Sequence, residues 1–286
     1  MLALYIGRWR MSFGIPYKGS KNIYATHICE SLPSGKRLVD LFAGGCAITD
    51  CAIRKFANKW ETFLINDIAH EPLDLYAKCL CGENPVPYDW VSREDFKSKD
   101  WATRLVWSFG NDVSTYLYGR EIEPIKHDIE AWIVDGVIFN NSTILHDIQL
   151  PNLVSMKERY SWWRGHKRLL SNLQINVNTQ RLLSLERLER LERLEFSYLS
   201  YEQYEYRDGD VVYCDIPYKG THCKQYKDTG FNHESFWKWA KSRPFDVFVS
   251  ERIVPDDAEI ILKKDVANRA NTKGIDGFKT ECLVRV

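Results

Sequence analysis

The sequence predicts an α/β fold in which a mostly parallel sheet ends in an antiparallel hairpin and carries a helix-rich insertion. Short apolar segments that end on an acid alternate with helical patterns, as in βαβ units. The first segment, residues 37–42, breaks at paired glycines and resumes as a helical pattern over 48–56. This succession is typical of a Rossmann-like unit, in which the backbone approaches a ligand closely. Residues 259–264 and 279–286 predict the closing hairpin.

Bulk composition limits the class of protein. The 286 residues are 44% hydrophobic, enough for one large domain or a domain with an insertion. Lysine plus arginine equals aspartate plus glutamate at 39 each, so nucleic-acid binding would require a local basic face. The eight cysteines lack zinc-site spacing, and we expect no metal and reduced thiols in a cytoplasmic protein. We also expect no membrane helix and no secretory signal in residues 1–10.

A glycine-containing loop precedes the first strand. Residues 13–24 read FGIPYKGSKNIY and carry Tyr17 and Lys21, and a helix is predicted over 22–30. An aromatic ring and a cation on such a loop can clamp a small charged ligand. An ordinary surface loop is the alternative for this stretch taken alone.

The second predicted strand, residues 62–68, contains an acid near its end. Asp67 is placed to accept hydrogen bonds from ribose hydroxyls. The alternative is that Asp67 caps the helix predicted over 70–79, and both roles are compatible. The spacing from the glycine turn favours a cofactor that contains a nucleoside.

Residues 107–176 interrupt the alternation of strands and helices, and we interpret them as a helix-rich insertion. Within it, residues 156–168 carry five cations and one acid, interleaved with three aromatic residues. Cations neutralise phosphates and flat rings stack on bases, so the segment is a candidate nucleic-acid contact. A solvated amphipathic helix is the alternative.

A three-residue repeat, LERLERLERLE, follows the insertion at residues 185–195. Leucines at every third position drift around a helix instead of forming one seam, which argues against a coiled coil and against oligomerisation through the repeat. We predict a plain helix that serves as a connector, followed by a strand over 196–201.

The segment DVVYCDIPY, residues 210–218, is the most informative of the chain. A buried strand is predicted to end in a loop that begins with Asp215 and contains Pro217 and Tyr218. A carboxylate, a restricted backbone and a flat ring suit a planar substrate that forms hydrogen bonds, such as a nucleobase. A loop over 219–231, a helix over 233–241 and a strand over 245–250 are predicted to follow.

Taken in order, PYKGSK, LVDLFAGG, an insertion and DVVYCDIPY resemble the Dam-like group of S-adenosylmethionine-dependent DNA adenine-N6 methyltransferases, which is the alpha-group of the D12 class and includes phage-type relatives. The resemblance runs from about residue 13 to the C-terminus and is weakest in the insertion. It implies a Rossmann-like methyltransferase with a catalytic domain at 11–106 and 177–286. The inserted target-recognition domain would be residues 107–176.

The resemblance implies roles for the DIPY loop. Tyr218 would stack on an adenine flipped out of the duplex, while Asp215 and the carbonyl of Ile216 would accept hydrogen bonds from its N6 amino group. Ile216 stands where the family usually has a first proline, which leaves a catalytically inactive DNA-binding relative as an alternative. The other alternative is methylation of RNA adenine or of another amino group. The absence of a Pro-Cys dipeptide argues against a cytosine-C5 enzyme.

The resemblance also implies two binding sets, no metal site, and double-stranded DNA as the partner, with the oligomeric state left open. The S-adenosylmethionine-binding set consists of Tyr17, Lys21, Asp40, Phe42, Ala43, Gly44, Asp67, Ile68 and Asp215. The DNA-binding set consists of Asn111, Lys157, Arg159, Trp162, Trp163, Arg164, Lys167 and Arg168.

Overall fold

The computed structural model describes residues 12–139, 145, 148–166, 178–186, 188, 192–218, 230–267 and 278–286. The strands are β1 (Gly35–Asp40), β2 (Trp60–Asn66), β3 (Leu194–Ser197), β4 (Asp210–Cys214), β5 (Val247–Glu251), β6 (Glu259–Ala267) and β7 (Phe278–Arg285). The α-helices are α1 (Ala25–Ser31), α2 (Ala47–Lys55), α3 (His70–Leu80), α4 (Trp101–Val106), α5 (Glu123–Asp135), α6 (Met156–Gly165), α7 (Asn178–Leu185) and α8 (His233–Lys241). Short 3-10 turns lie at Lys21–Ile23, Phe96–Ser98, Phe109–Asn111 and Tyr201–Gln203.

The seven strands form one sheet in the order β3-β2-β1-β4-β5-β7-β6. Strands β1 to β5 run parallel to one another, whereas β7 runs antiparallel to both β5 and β6. Because the parallel strands point the same way, the loops after β1, β2, β4 and β5 leave the sheet at one edge. The predicted mostly parallel Rossmann-like sheet with a C-terminal antiparallel hairpin is confirmed.

The central strands are apolar because helices cover both faces of the sheet. In β1, Leu38 packs in a core with α1 and α2, whereas its neighbour Val39 packs in a second core with Phe236 of α8. Successive residues of a strand point to opposite faces, so one short apolar run supplies both cores. This sandwich keeps the strands in register and fixes where their carboxyl ends lie.

Contacts divide the chain into two compact units. The first comprises residues 1–15, 19–77 and 190–286, and the second comprises residues 16–18 and 78–189. The second unit is therefore larger than the predicted insertion, since it also takes in residues 78–106 and 177–189. The added residues include α4 and α7, which the sequence analysis assigned to the catalytic domain.

The second unit has a hydrophobic core of its own, built around α5, α6 and α7. Trp132, Tyr160, Trp163 and Leu183 are among its buried members. Helix α6 begins with a capping box in which Ser155 and Glu158 satisfy each other's backbone N–H groups. Helix α5 ends at Gly136, whose φ of 75° lies in the left-handed region that glycine tolerates.

Two predictions of secondary structure were wrong around the LER repeat. The helix predicted through the repeat ends at Leu185, and Leu194 and Glu195 already belong to β3. The strand predicted over 196–201 accordingly starts earlier and ends at Ser197, and Tyr201 begins a 3-10 turn. Edge pairing explains both differences, because Leu194 lies opposite Phe63 of β2 and tertiary pairing overrides helix propensity. Within the described ranges, no helix is long and apolar enough to cross a membrane.

Candidate active site

The glycine turn after β1 is tied to the end of β2. The Ala43 N–H donates to the Asn66 carbonyl at 2.9 Å, and the Gly44 N–H donates to Asp67 Oδ2 at 2.8 Å. Gly44 has a φ of 46°, a backbone conformation that favours glycine. These bonds hold a sharp turn between β1 and α2 at the carboxyl edge of the sheet.

Asp67 joins this turn to the start of α3. Its Oδ1 accepts a hydrogen bond of 2.9 Å from the N–H of Ala69, the residue before α3, and burial raises the pKa of the carboxyl group. Asp67 therefore accepts a backbone hydrogen bond next to the start of α3, which is part of the capping role considered as the alternative. Each carboxylate oxygen has two acceptor sites, so one backbone bond per oxygen still allows further donors.

Asp40, at the end of β1, holds a buried oxygen that lacks a partner. Its Oδ2 accepts a hydrogen bond of 2.9 Å from Thr49 Oγ1, whereas Oδ1 is buried and has no hydrogen-bond partner among the described residues. Burial, with Asp215 and Asp67 adding like charge, raises the pKa of Asp40 to about 7. A buried acceptor left in this state is costly, and a ligand donor would relieve it.

Apolar groups surround these acids. The Phe42 ring lies 5.7 Å from that of Tyr201 and 5.8 Å from those of Phe231 and Phe236, measured between centroids. Ile68, directly after Asp67, is 67% exposed, and Leu199 is 48% exposed. Asn66 bonds to both the N–H and the carbonyl of Leu199, which holds that apolar residue beside the end of β2.

The DIPY loop leaves β4 beside the glycine turn, since Asp40 lies opposite Tyr213 in the sheet. Lys21 donates a hydrogen bond to Asp215 Oδ1 and is only 6% exposed. Burial raises the pKa of Asp215 to about 6, although the Lys21 ammonium acts in the opposite direction. At neutral pH the carboxylate is therefore mostly ionised and able to accept hydrogen bonds.

Ile216 and Pro217 are fixed by contacts with the core and with α8. The Ile216 side chain is 2% exposed and packs in the core that contains Val212 and Phe236. The Pro217 carbonyl lies 2.7 Å from Nε2 of His233, the first residue of α8. A buried aliphatic anchor and this hydrogen bond restrict the loop at the position where the family's first proline is missing.

Tyr218 lies among charged groups. The Lys21 Nζ lies 4.4 Å from the ring centroid and the Arg252 Cζ lies 4.6 Å from it. The hydroxyl donates a hydrogen bond to Glu281 Oε1. Burial and the neighbouring carboxylates raise the pKa of this phenol, which stays protonated and therefore remains a donor. The sequence analysis did not identify His233, Arg252 or Glu281, because no local motif links them to residues 215–218.

The predicted cofactor set lies mostly in the first unit. Tyr17 is half-buried and belongs by its contacts to the second unit. Lys21, Asp40 and Asp67 belong to the first unit. The Lys21 ammonium contacts Asp215 and lies 3.6 Å from Glu281 Oε1, and the sequence analysis predicted neither contact.

The predicted DNA-binding residues divide into internal and exposed groups. The Arg159 guanidinium is buried and donates to the carbonyls of Ile133, Val134, Leu153 and Val154. Trp163 is buried in the core of the second unit, and Asn111 Nδ2 donates to the Leu105 carbonyl at 3.0 Å. Lys157 and Arg164 are exposed and Trp162 is half-buried, whereas Lys167 and Arg168 lie outside the described residues.

The strand order, the glycine turn and the loop after β4 are those of a Rossmann-like methyltransferase. Residues 17–252 match the family model of the D12 class N6 adenine-specific DNA methyltransferases, and the chain belongs to this family. The protein is therefore a DNA adenine-N6 methyltransferase, as the resemblance implied. The narrower Dam-like alpha-group and phage-type assignment stays a prediction.

Among solved structures, the chain is similar to the rRNA methyltransferase aviRa from Streptomyces viridochromogenes. The two share 12% identity with a TM-score of 0.38, over 99% of this chain and 94% of the other. The comparison with curated proteins gave no match.

Proposed function

We propose that the protein moves a methyl group from S-adenosylmethionine to N6 of an adenine flipped out of double-stranded DNA. The observation that carries the proposal is the loop after β4, where Asp215 and the Tyr218 ring both contact Lys21. A carboxylate acceptor and an aromatic face are the two features that an extruded adenine requires. The glycine turn, Asp40 and Asp67 lie at the same edge of the sheet.

The residues at this edge fit S-adenosylmethionine. The unpartnered Oδ1 of Asp40 suits an amino donor, and Asp67 has acceptor capacity for ribose hydroxyls. Phe42 and Ile68 offer apolar surface for the adenine ring of the cofactor. The backbone of Ala43 and Gly44 would lie next to the bound cofactor. When bound, the cofactor would supply a methyl group on a positively charged sulfur. Attack by an amino nitrogen would break the carbon–sulfur bond and leave a neutral thioether, and the methylated nitrogen would then release one of its protons.

The DIPY loop orients the target base. Asp215 Oδ1 accepts from Lys21, and in the part of the chain described, Oδ2 shows no hydrogen bond and is left to accept one from the N6 amino group. The Ile216 carbonyl accepts the second N–H, which directs the nitrogen lone pair towards the methyl group. Tyr218 stacks on the base and offsets part of the extrusion cost of roughly a few kcal/mol. Catalysis by this loop is positioning and electrostatics.

Exposed cations of the second unit would contact the DNA phosphates. Lys157 is 70% exposed at its side chain and Arg164 is also exposed. Arg159 and Trp163 receive internal roles, because phosphate contact by Arg159 would break its bonds to four carbonyls. Tyr17, Asn111 and Trp162 remain proposed ligand contacts. Lys167 and Arg168 stay predictions from sequence.

Parallel methyl-transfer assays test the proposal. Purified protein and labelled S-adenosylmethionine would be incubated with duplex DNA, RNA and protein, followed by nucleoside analysis. We expect N6-methyladenine in the duplex DNA reaction. Label confined to RNA would favour an RNA adenine substrate. DNA binding without cofactor binding in calorimetry would favour the inactive relative that Ile216 leaves open.

A further inference from the structure

Glu281, on the last strand, reaches the methyl-transfer site from the far end of the chain. It lies on β7 outside residues 17–252, which match the family, and is 6% exposed. Along β7, Cys282 and Val284 pack in the core beneath α8, whereas Leu283 packs in the core beneath α1 and α2. Strand alternation therefore places Glu281 on the same face as Leu283, where an apolar residue would be expected.

All three described side-chain partners of Glu281 belong to the surroundings of Tyr218. Its Oε1 accepts a hydrogen bond from the Tyr218 hydroxyl and lies 3.6 Å from Lys21 Nζ. Its Oε2 lies 3.8 Å from Arg252 Nε. Both cations also lie over the Tyr218 ring, at 4.4 Å and 4.6 Å from its centroid.

A buried carboxylate with this set of partners is poorly explained by stability alone. Removing a carboxylate from water costs several kcal/mol, and well-packed apolar residues often replace buried ion pairs without loss of stability. What a carboxylate adds is direction, since it fixes the hydroxyl end of the ring and two cations at once. Lys21 in turn bonds Asp215, so Glu281 contacts one base-binding group, Tyr218, directly and is linked to the other, Asp215, through Lys21.

We propose that Glu281 is a positioning residue for the target adenine, which it serves by holding the hydroxyl end of the Tyr218 ring in the stacking position. It contacts Tyr218 and not the base. Glu281 also keeps Lys21 and Arg252 in contact with the ring, so that the ring, the Asp215 carboxylate and the two cations form one preorganised group. This inference rests on the proposed role of Tyr218 in stacking.

The test compares Glu281→Ala, Glu281→Gln and Tyr218→Phe with the double variant Tyr218→Phe/Glu281→Ala. Sequencing of plasmid methylated by the unaltered protein would first locate a target site. Single-turnover methylation, S-adenosylmethionine affinity and the fluorescence of a duplex with 2-aminopurine at the target would then be measured. Glu259→Ala is the matched control, because its carboxylate lies on the neighbouring β6, is 55% exposed and pairs with Arg285.

We expect Glu281→Ala and Tyr218→Phe each to slow methylation and to weaken the 2-aminopurine signal about 10- to 100-fold, with nearly unchanged cofactor affinity. The double variant should be no slower than the worse single variant, because each single variant already removes the same hydrogen bond between positions 218 and 281. Glu281→Gln, which still accepts from the hydroxyl, should recover most of the rate. The Glu259→Ala control should behave as the unaltered protein.

A full methylation rate in Glu281→Ala or in Tyr218→Phe would overturn the inference, as would additive losses in the double variant. If Glu281→Ala fails to fold, the proposal is tested with Tyr218→Phe and Glu281→Gln alone. Slow methyl transfer in Tyr218→Phe together with near-normal methyl transfer in Glu281→Gln would support it. Absence of N6-methyladenine with the unaltered protein would instead refute the proposed function, and the inference with it.

Discussion

At the scale of single residues, Asp215 has the environment of an acceptor that must stay ionised. Its pKa is raised to about 6 by burial, against the stabilising Lys21 ammonium. The carboxylate is therefore protonated as pH falls through about 6, and protonation removes an acceptor from the site. A group with these properties links the rate of methyl transfer to pH.

We predict that the single-turnover rate falls as pH is lowered through about 6. Asp215→Ala should lose activity by at least about 100-fold, because the amino group of the base is no longer held. Asp215→Asn should retain part of the rate, since an amide oxygen also accepts, and should lose the acidic limb of the profile. Rates measured from about pH 5 to about pH 8 check this. An unchanged acidic limb in Asp215→Asn would assign the limb to another group.

Asp67→Ala is the companion variant for that experiment. It should mainly weaken cofactor binding in calorimetry, whereas Asp215→Ala should leave cofactor binding nearly intact. Equal losses of cofactor affinity and transfer rate in both variants would contradict the separate roles.

Site residues that directly follow a strand could be predicted from the sequence, whereas site residues on other parts of the chain could not. Asp40, Asp67 and Asp215 could be predicted because an acid after an apolar run lies at the carboxyl edge of a parallel sheet. Glu281 could not, because a single acid in a strand does not indicate which loop it will face. Nor could the sequence show that Arg159 is internal, since two of its four carbonyl partners, Ile133 and Val134, are 26 and 25 residues away in the chain.

At the scale of elements, α6 carries two arginines with opposite environments. Arg159 is 7% exposed and bonds to four main-chain carbonyls, whereas Arg164 is exposed. The basic composition of the segment suggested one shared role in DNA binding. Arg159 therefore has a structural role inside the second unit, whereas Arg164 is able to reach a DNA phosphate.

We predict that Arg159→Ala destabilises the second unit by about 3 kcal/mol, because several buried carbonyls lose a charged donor. Arg164→Ala should change the free energy of unfolding by less than about 0.5 kcal/mol. It should instead weaken DNA binding and lower the salt slope by about 1. Urea unfolding and salt-dependent binding titrations measure both. Arg164→Ala with unchanged affinity would remove this residue from the DNA-binding set.

The glycine turn depends on Gly14 as well as on its own residues. Gly14 has a φ of +64°, and a Cβ there would lie 2.0 Å from the Gly45 carbonyl oxygen. The neighbouring Ile15 N–H donates to that same oxygen at 2.9 Å, and the Gly14 N–H donates to the buried Asp50. The loop before α1 therefore lies directly against the turn.

We predict that Gly14→Ala lowers the melting temperature and weakens S-adenosylmethionine binding, because the turn must move to admit a methyl group. Gly19→Ala is the matched control, since its φ is +81° but no atom lies within 4 Å of the added Cβ. The control should show only backbone strain of about 1 kcal/mol. Calorimetric scans with and without cofactor measure both effects. Equal effects in the two variants would leave strain alone as the cause.

Element boundaries could be predicted where a helix or strand is set by its own residues. The helix over 233–241 was predicted with its observed bounds, because Asn232 caps it and its hydrophobic face is regular. Strand β3 was misplaced because its start depends on pairing with β2, about 130 residues earlier, and not on its LER-rich composition.

At the scale of the whole molecule, stability should depend on pH through Asp40. Its pKa is raised to about 7 in the folded chain, whereas an unfolded aspartate titrates near 3.9. Between these values the folded chain binds more protons than the unfolded chain, so stability is full below about pH 4 and is lost as pH rises towards about 7.

We predict that Asp40→Asn gains stability relative to the unaltered protein as pH rises from about 5 to about 7.5. The gain in the free energy of unfolding is limited to about 1.4 kcal/mol for each pH unit that separates the folded and unfolded pKa values of Asp40. Urea unfolding at both pH values measures it. Glu130, whose pKa burial also raises to about 7, titrates in both proteins and cancels from the comparison. A constant difference across this range would mean that Asp40 is ionised in the fold.

The place of β1 in the sheet has a consequence for synthesis. Strand β1 ends at Asp40 and pairs with β2, but its other neighbour, β4, begins only at Asp210. At roughly 5 to 20 residues per second, a ribosome needs about 10 to 30 seconds to make the residues between them. One edge of β1 stays open to other chains throughout that interval. We therefore expect slower translation during expression to reduce the yield of folded protein even when its final stability is unchanged.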